Sequence, residues 1–97
     1  MRLNLGCGFN KSTGYVNVDS SKLCAPDVLH NLEQTPWPWE DSSVDEIVMR
    51  HVLEHLGATT DVYFSVLREM YRVCRPDARI TIVVPHPRHD DFLHDAT

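Results

Sequence analysis

Gly6 and Gly8 flank Cys7 directly after the apolar run Arg2–Leu5, and Asp19 ends the next strand-like run. Glycines let a backbone approach a ligand closely and present N–H donors to it. An acid at the end of the following strand can accept hydrogen bonds from both hydroxyls of a ribose. The pair therefore fits a nucleoside site, or else a plain tight turn beside a capped strand. A second constellation is His51-Val-Leu-Glu54-His55, which has the form H-x-x-E-H. On a helix, residues 51 and 55 share a face, so two imidazoles could hold one zinc ion while Glu54 activates its water. Such a site needs a third protein ligand downstream. No Glu follows Glu69, and the late carboxylates are Asp90, Asp91 and Asp95. The bland alternatives are a helix-face His55 with a local hydrogen bond and a His51 that lines a pocket.

Positioning these groups requires strands. Arg2–Leu5 reads as a strand running into the glycine turn. Tyr15–Asp19 alternates with β-branched residues and reads as a second strand. A short third strand fits within Pro26–Leu32, and Val44–Arg50 is a fourth. Between them, Thr35–Ser43 holds two prolines and an Asp/Ser cluster, so it is a loop. Trp37 and Trp39 in it can stack on a ligand or pack beneath the loop. Thr59-Thr60 can cap a helix over Asp61–Cys74, whose apolar positions Tyr63, Val66, Leu67, Met70, Val73 and Cys74 form one broad face. Arg75–Ala78, with Pro76, stops that helix. Arg79–Val84 is the best strand in the chain. His86, His89 and His94 mix with the late aspartates in a polar tail that reads as solvated.

The chain has 97 residues, enough for one domain with a thin core. Nine Lys+Arg against fourteen Asp+Glu give −5, which leans against a nucleic-acid partner held by phosphate neutralisation. No apolar run approaches a membrane span of about 20 residues. Cys7, Cys24 and Cys74 show no C-x-x-C spacing, so a disulfide framework or cysteine-rich zinc site is not expected, and a reducing, cytoplasmic setting is.

Leu3-Asn-Leu-Gly-Cys-Gly, Val16-Asn-Val-Asp, Asp27-Val-Leu-His-Asn-Leu, Trp37-Pro-Trp-Glu-Asp-Ser-Ser-Val-Asp-Glu-Ile, His51-Val-Leu-Glu-His-Leu, Leu67-Arg-Glu-Met-Tyr-Arg-Val-Cys-Arg-Pro and Arg79-Ile-Thr-Ile-Val-Val-Pro follow one another in this order. The chain thereby resembles the class I, Rossmann-like S-adenosylmethionine-dependent methyltransferases, within them the small type-11 group, over residues 2–90. The resemblance implies an α/β fold: a truncated, mostly parallel Rossmann-like sheet of about five strands. It implies S-adenosylmethionine as cofactor and S-adenosylhomocysteine as product. Gly6, Cys7 and Gly8 would pass under the methionine part, with Asn4 where the family usually has an acid. Asp19 would hold the ribose, Asn31 and Leu32 the adenine edge, and Arg50 and His51 would face the methionine end and the methyl group. His51 is the candidate general base and Glu54 the second, a base being needed only if the acceptor must lose a proton.

The chain departs from that pattern in places. Asn4 and Asn31 are amides where acids are common, Asn10 replaces a third glycine, and Asp77-Ala78 replaces a frequent Gly-Gly turn. Asp19 follows Gly6 by 13 positions, against roughly 20 in the dinucleotide fold. A parallel crossover normally needs a dozen or more residues, so the first crossover helix must be missing or reduced to a turn. Few residues follow Val84, so the C-terminal strands of a full domain are expected to be absent. Residues 1–97 then form a single domain, incomplete at its C-terminus, and an uncovered sheet edge favours a homodimer. A small-molecule acceptor is expected. The competing expectations are a cofactor-binding fragment or pseudo-enzyme without catalysis, a purely structural interaction domain and, remotely, the H-x-x-E-H zinc hydrolase.

Overall fold

The computed structural model describes residues 1–50 and 59–83. They form five strands, β1 (Arg2–Leu5), β2 (Val16–Asp19), β3 (Val28–Leu29), β4 (Val44–Arg50) and β5 (Cys74–Val83), with one α-helix, α1 (Thr60–Val73), between β4 and β5. The strands make one sheet in the order β3-β2-β1-β4-β5, and every pairing is parallel. This is the truncated Rossmann-like α/β sheet that the sequence implies. The first crossover, residues 6–15, carries no helix, and the second holds only a 3-10 turn at Lys22–Cys24.

Register sorts the side chains onto two faces. Leu3 lies beside Val16 and Ile47, and Leu5 beside Val18 and Met49. With Val66, Met70 and Val73 of α1, and with Leu32 and Trp37, these residues form the buried apolar core. Each fully buried aliphatic side chain contributes roughly 1.5–3 kcal/mol through removal from water. Asn4 lies beside Asn17 and Val48, and alternation along the strands puts these three on the opposite face.

Thr59 caps α1, its side chain accepting from the Val62 N–H, and Asp61 in the first turn and Arg72 in the last complement the helix dipole. Residues 63, 66, 67, 70 and 73 recur at helical spacing, and Val66, Met70 and Val73 are fully buried. The helix ends at Val73 because Cys74 is already extended, and the expected break at Arg75–Ala78 lies inside β5 rather than before it. Val44 pairs with Cys74 and Glu46 with Arg79, so the ladder slips there and the four residues with Pro76 bulge out. Arg75 meets Asp45 across this bulge at 2.8 Å.

The loop 30–43 is strapped to α1. The Trp37 backbone N–H donates to Glu69 at 2.7 Å, and Arg72 donates to Glu69, to Asp41 and to the Trp37 carbonyl. Trp37 is 2% exposed and its indole N–H donates to the Leu32 carbonyl. Of the two sequence readings for Trp37, packing under the loop holds. Trp39 meets it edge-on at 5.9 Å.

Candidate functional site

In an open parallel sheet, ligands lie beyond the carboxyl ends of the strands, where the strand order reverses. Here β1 is followed in the sheet by β2 on one side and by β4 on the other. A cleft of about 560 Å³ opens there, lined by Asn4, Gly6, Cys7, Gly8, Asn10, Lys11, Ser12 and Arg50. Its size falls within the range of about 300–1,000 Å³ common to small-molecule sites.

The glycine loop is held from within. Gly6 and Cys7 both donate their N–H groups to the Val18 carbonyl, at 2.8 and 3.0 Å. Gly8 has φ +53°, and its N–H donates to Asp19 Oδ2 at 2.8 Å. The other oxygen, Oδ1, accepts from the Ser21 N–H. Asp19 therefore fixes the loop as well as the strand end. The three leading N–H groups of the turn are already used, so the loop is not a phosphate cradle of the kind a dinucleotide needs.

Beneath the loop lies a buried amide network. Asn4 is 2% exposed and Asn17 is 6% exposed. The Asn4 amide donates to Asn17 Oδ1 at 2.9 Å and to the Asn10 carbonyl at 3.1 Å. Asn17 Oδ1 also accepts from the Ser12 N–H, and its amide donates to Ser12, Tyr15 and Asp27. The Asn17 backbone N–H and amide hold Asp27 below the usual carboxylate range. Asn17 is thus satisfied on every side. Asn4 is not: both amide hydrogens are taken, while Oδ1 has no partner among the described residues. An acceptor left without a partner in a buried wall costs about 1–3 kcal/mol unless a ligand supplies the donor.

Of the residues expected at the site, the cleft brings together Asn4, Gly6, Cys7, Gly8 and Arg50. Arg50 is exposed at the end of β4, with no charged partner among the described residues. Asp19 is joined to the cleft through Gly8 but is not in its wall. Asn31 and Leu32 lie outside it. Asn31 Oδ1 accepts from the Glu33 N–H in a local turn, and the Leu32 side chain belongs to the core. His51, Glu54 and His55, and with them the H-x-x-E-H motif, fall outside the described residues, as does the histidine-rich tail. Two lining residues, Lys11 and Ser12, escape the sequence reading, which noted Asn10 only as the replacement of a third glycine, and Asn17 beneath them escapes it as a site residue. Two mid-strand asparagines in adjacent short strands were the available signal.

The Cys7 thiol is pushed up to about 11 by its burial, with the nearby Cys24 and Asp19 adding to the effect. At neutral pH it is a neutral thiol and a poor nucleophile.

The all-parallel sheet, the glycine loop and the cleft at the strand reversal define a Rossmann-like ligand-binding domain. A family model described as a methyltransferase domain matches residues 3–82, and the chain belongs to that family, within the class I methyltransferases. Neither the search of curated proteins nor that of solved structures gave a match. No helix among the described residues is long and apolar enough to cross a membrane.

Proposed function

We propose that the cleft binds S-adenosylmethionine and that the chain transfers its methyl group to a small-molecule acceptor. The observation that carries this reading is the buried amide oxygen of Asn4, unpartnered among the described residues, in a cleft that also presents the Arg50 guanidinium. An amino-acid moiety has an ammonium donor for the first and a carboxylate for the second. The inward-turned glycine loop suits a nucleoside without phosphates.

When bound, this cofactor supplies a sulfonium methyl already activated for displacement. The chain's part is to bind, align and exclude water. Asn4 Oδ1 accepts from the ammonium group and Arg50 pairs with the carboxylate. Asp19 keeps lone pairs for ribose hydroxyls beside the two N–H groups it already accepts. An oxygen or nitrogen acceptor would take the methyl as its bond to sulfur breaks, S-adenosylhomocysteine would leave, and the acceptor would then shed a proton. His51 is the base proposed to take it, since imidazole in general suits proton transfer near neutrality, and Glu54 is the second choice. The net charge of −5 favours a small acceptor over a polyanion. A second copy of the chain, pairing along the β5 edge, completes the reading.

Calorimetric titration of the full chain with S-adenosylhomocysteine, in chelator, tests it, with Asp19→Ala alongside and circular dichroism to check that both fold. Micromolar binding that is lost in the variant is expected. No binding by the folded wild-type chain sinks the proposal. Binding without methyl transfer to any acceptor would instead leave the module without catalysis.

A further inference from the structure

Three potential metal-ligand atoms converge beside the cleft, one of them on Cys7 in its wall. Cys7 Sγ, Cys24 Sγ and a carboxylate oxygen of Asp19 all lie within 4.8 Å of one another. The fold brings them from three places: the loop after β1, the 3-10 turn after β2, and the last residue of β2. Both cysteines are buried. The turn holding Cys24 is locally built. Ser21 caps it by accepting from the Leu23 N–H, and Ala25 closes it in the left-handed region with φ 50°. The Cys24 thiol donates to the Ser21 carbonyl at 3.3 Å.

We propose that Cys7, Asp19 and Cys24 form a binding site for a thiophilic divalent cation, of which zinc is the type. A tetrahedral zinc has Zn–S near ~2.3 Å and Zn–O near ~2.0 Å, which sets its ligand atoms about 3.5–3.8 Å apart. The trio needs at most about 1.3 Å of closure to reach that. Asp19 is held in place by the Gly8 and Ser21 N–H groups, the outer-shell support a ligating carboxylate needs. On binding, two S–H bonds give up protons to solvent and two S–metal bonds form, with no change of oxidation state. The two thiolates and the carboxylate carry −3, the cation +2, and the Lys11 ammonium is near enough to act on Cys7. The fourth position stays open to water. Because Asp19 is a ligand, the metal and the ribose compete for it. That consequence rests on the cofactor reading; the metal site does not.

Cobalt(II) is the probe, added to the reduced full-length chain under a non-thiol reductant. A sulfur-to-cobalt charge-transfer band is expected in the wild type and in Cys74→Ser. Cys24→Ser, shown to be folded by circular dichroism, should bind at least about 100-fold more weakly. A cobalt spectrum with no thiolate band puts the ion on histidines and carboxylates and overturns the proposal. So does a band unchanged in Cys24→Ser. The wild-type band decides even if that variant does not fold. For competition, S-adenosylhomocysteine is titrated with and without one equivalent of zinc. Zinc should weaken its binding at least about 10-fold in the wild type and leave Cys24→Ser unaffected. If the chelator-treated chain takes no S-adenosylhomocysteine, the cofactor reading fails, and the charge-transfer band still decides the metal site.

Discussion

On one face of the sheet, α1 and Trp37 press apolar side chains onto Leu3, Leu5, Ile47 and Met49. On the other, the loop 6–15 is drawn down by two asparagines, Asn4 and Asn17, through amide hydrogen bonds to Asn10, Ser12 and Tyr15. The first face is closed by a whole crossover helix. The second is closed by a crossover too short to hold one. A loop has backbone N–H and C=O groups that it cannot satisfy itself, so a face covered by a loop must offer polar partners where a face covered by a helix offers methyl groups. The comparison also explains why the cleft lies where it does. A loop tied down at chosen points leaves room beside it, and Asn4 then faces a cavity instead of a helix.

The largest expected effect is on the apolar face. Ile47→Ala should cost about 2–5 kcal/mol in urea unfolding, since the side chain is fully buried beneath α1. On the polar face, Asn17→Ala orphans groups on Asn4 and Ser12, and a loss of about 1–3 kcal/mol is expected. If that loss were under about 0.5 kcal/mol, the amides would not be closing this face and the comparison would break.

The strap between the loop 30–43 and α1 gives a third test, through pH. Hydrogen bonds from Arg72, and the Trp37 N–H after them, hold the Glu69 carboxyl below its usual range. A lowered folded-state pKa gives stability that is fully present above the unfolded value of 4.5 and is lost as pH falls through the folded value. The difference in unfolding free energy between wild type and Glu69→Gln, read from urea unfolding, should therefore be largest near neutrality, at about 1 kcal/mol, and vanish in acid. A constant difference from neutral pH to well below 4 would assign the effect to packing. The smallest effect is kinetic. Alkylation of Cys7 should be slow at pH 8 and rise steadily toward pH 11, because its thiol titrates at about 11. Fast labelling at pH 8 would mean that the loop opens away from its anchors.

Much of the fold was legible in residue order. Arg2–Leu5 and Val44–Arg50 occur as read, and α1 is displaced by one residue from Asp61–Cys74, because these segments bury continuous or periodic apolar faces whatever lies around them. The short strand β3 shrinks to Val28–Leu29, since an edge position pairs on one side only. β5 reaches back to Cys74, because pairing with Val44 outlasts the interruption at Pro76. At the site, the glycine loop, Asp19 and Arg50 were legible from type and position. Asn17 was not: alternation in Val16-Asn-Val-Asp reads as an outward polar residue.

The sequence alone therefore determined the strands, the helix, the missing first helix and the family pattern, because period, glycine position and crossover length are local properties. The tertiary structure decided which polar residues are buried, that Trp37 packs rather than stacks on a ligand, and that Cys7, Asp19 and Cys24 meet. Those facts depend on which strands lie side by side. Neighbour order in a sheet is set by the sum of all the packing, and no single segment encodes it.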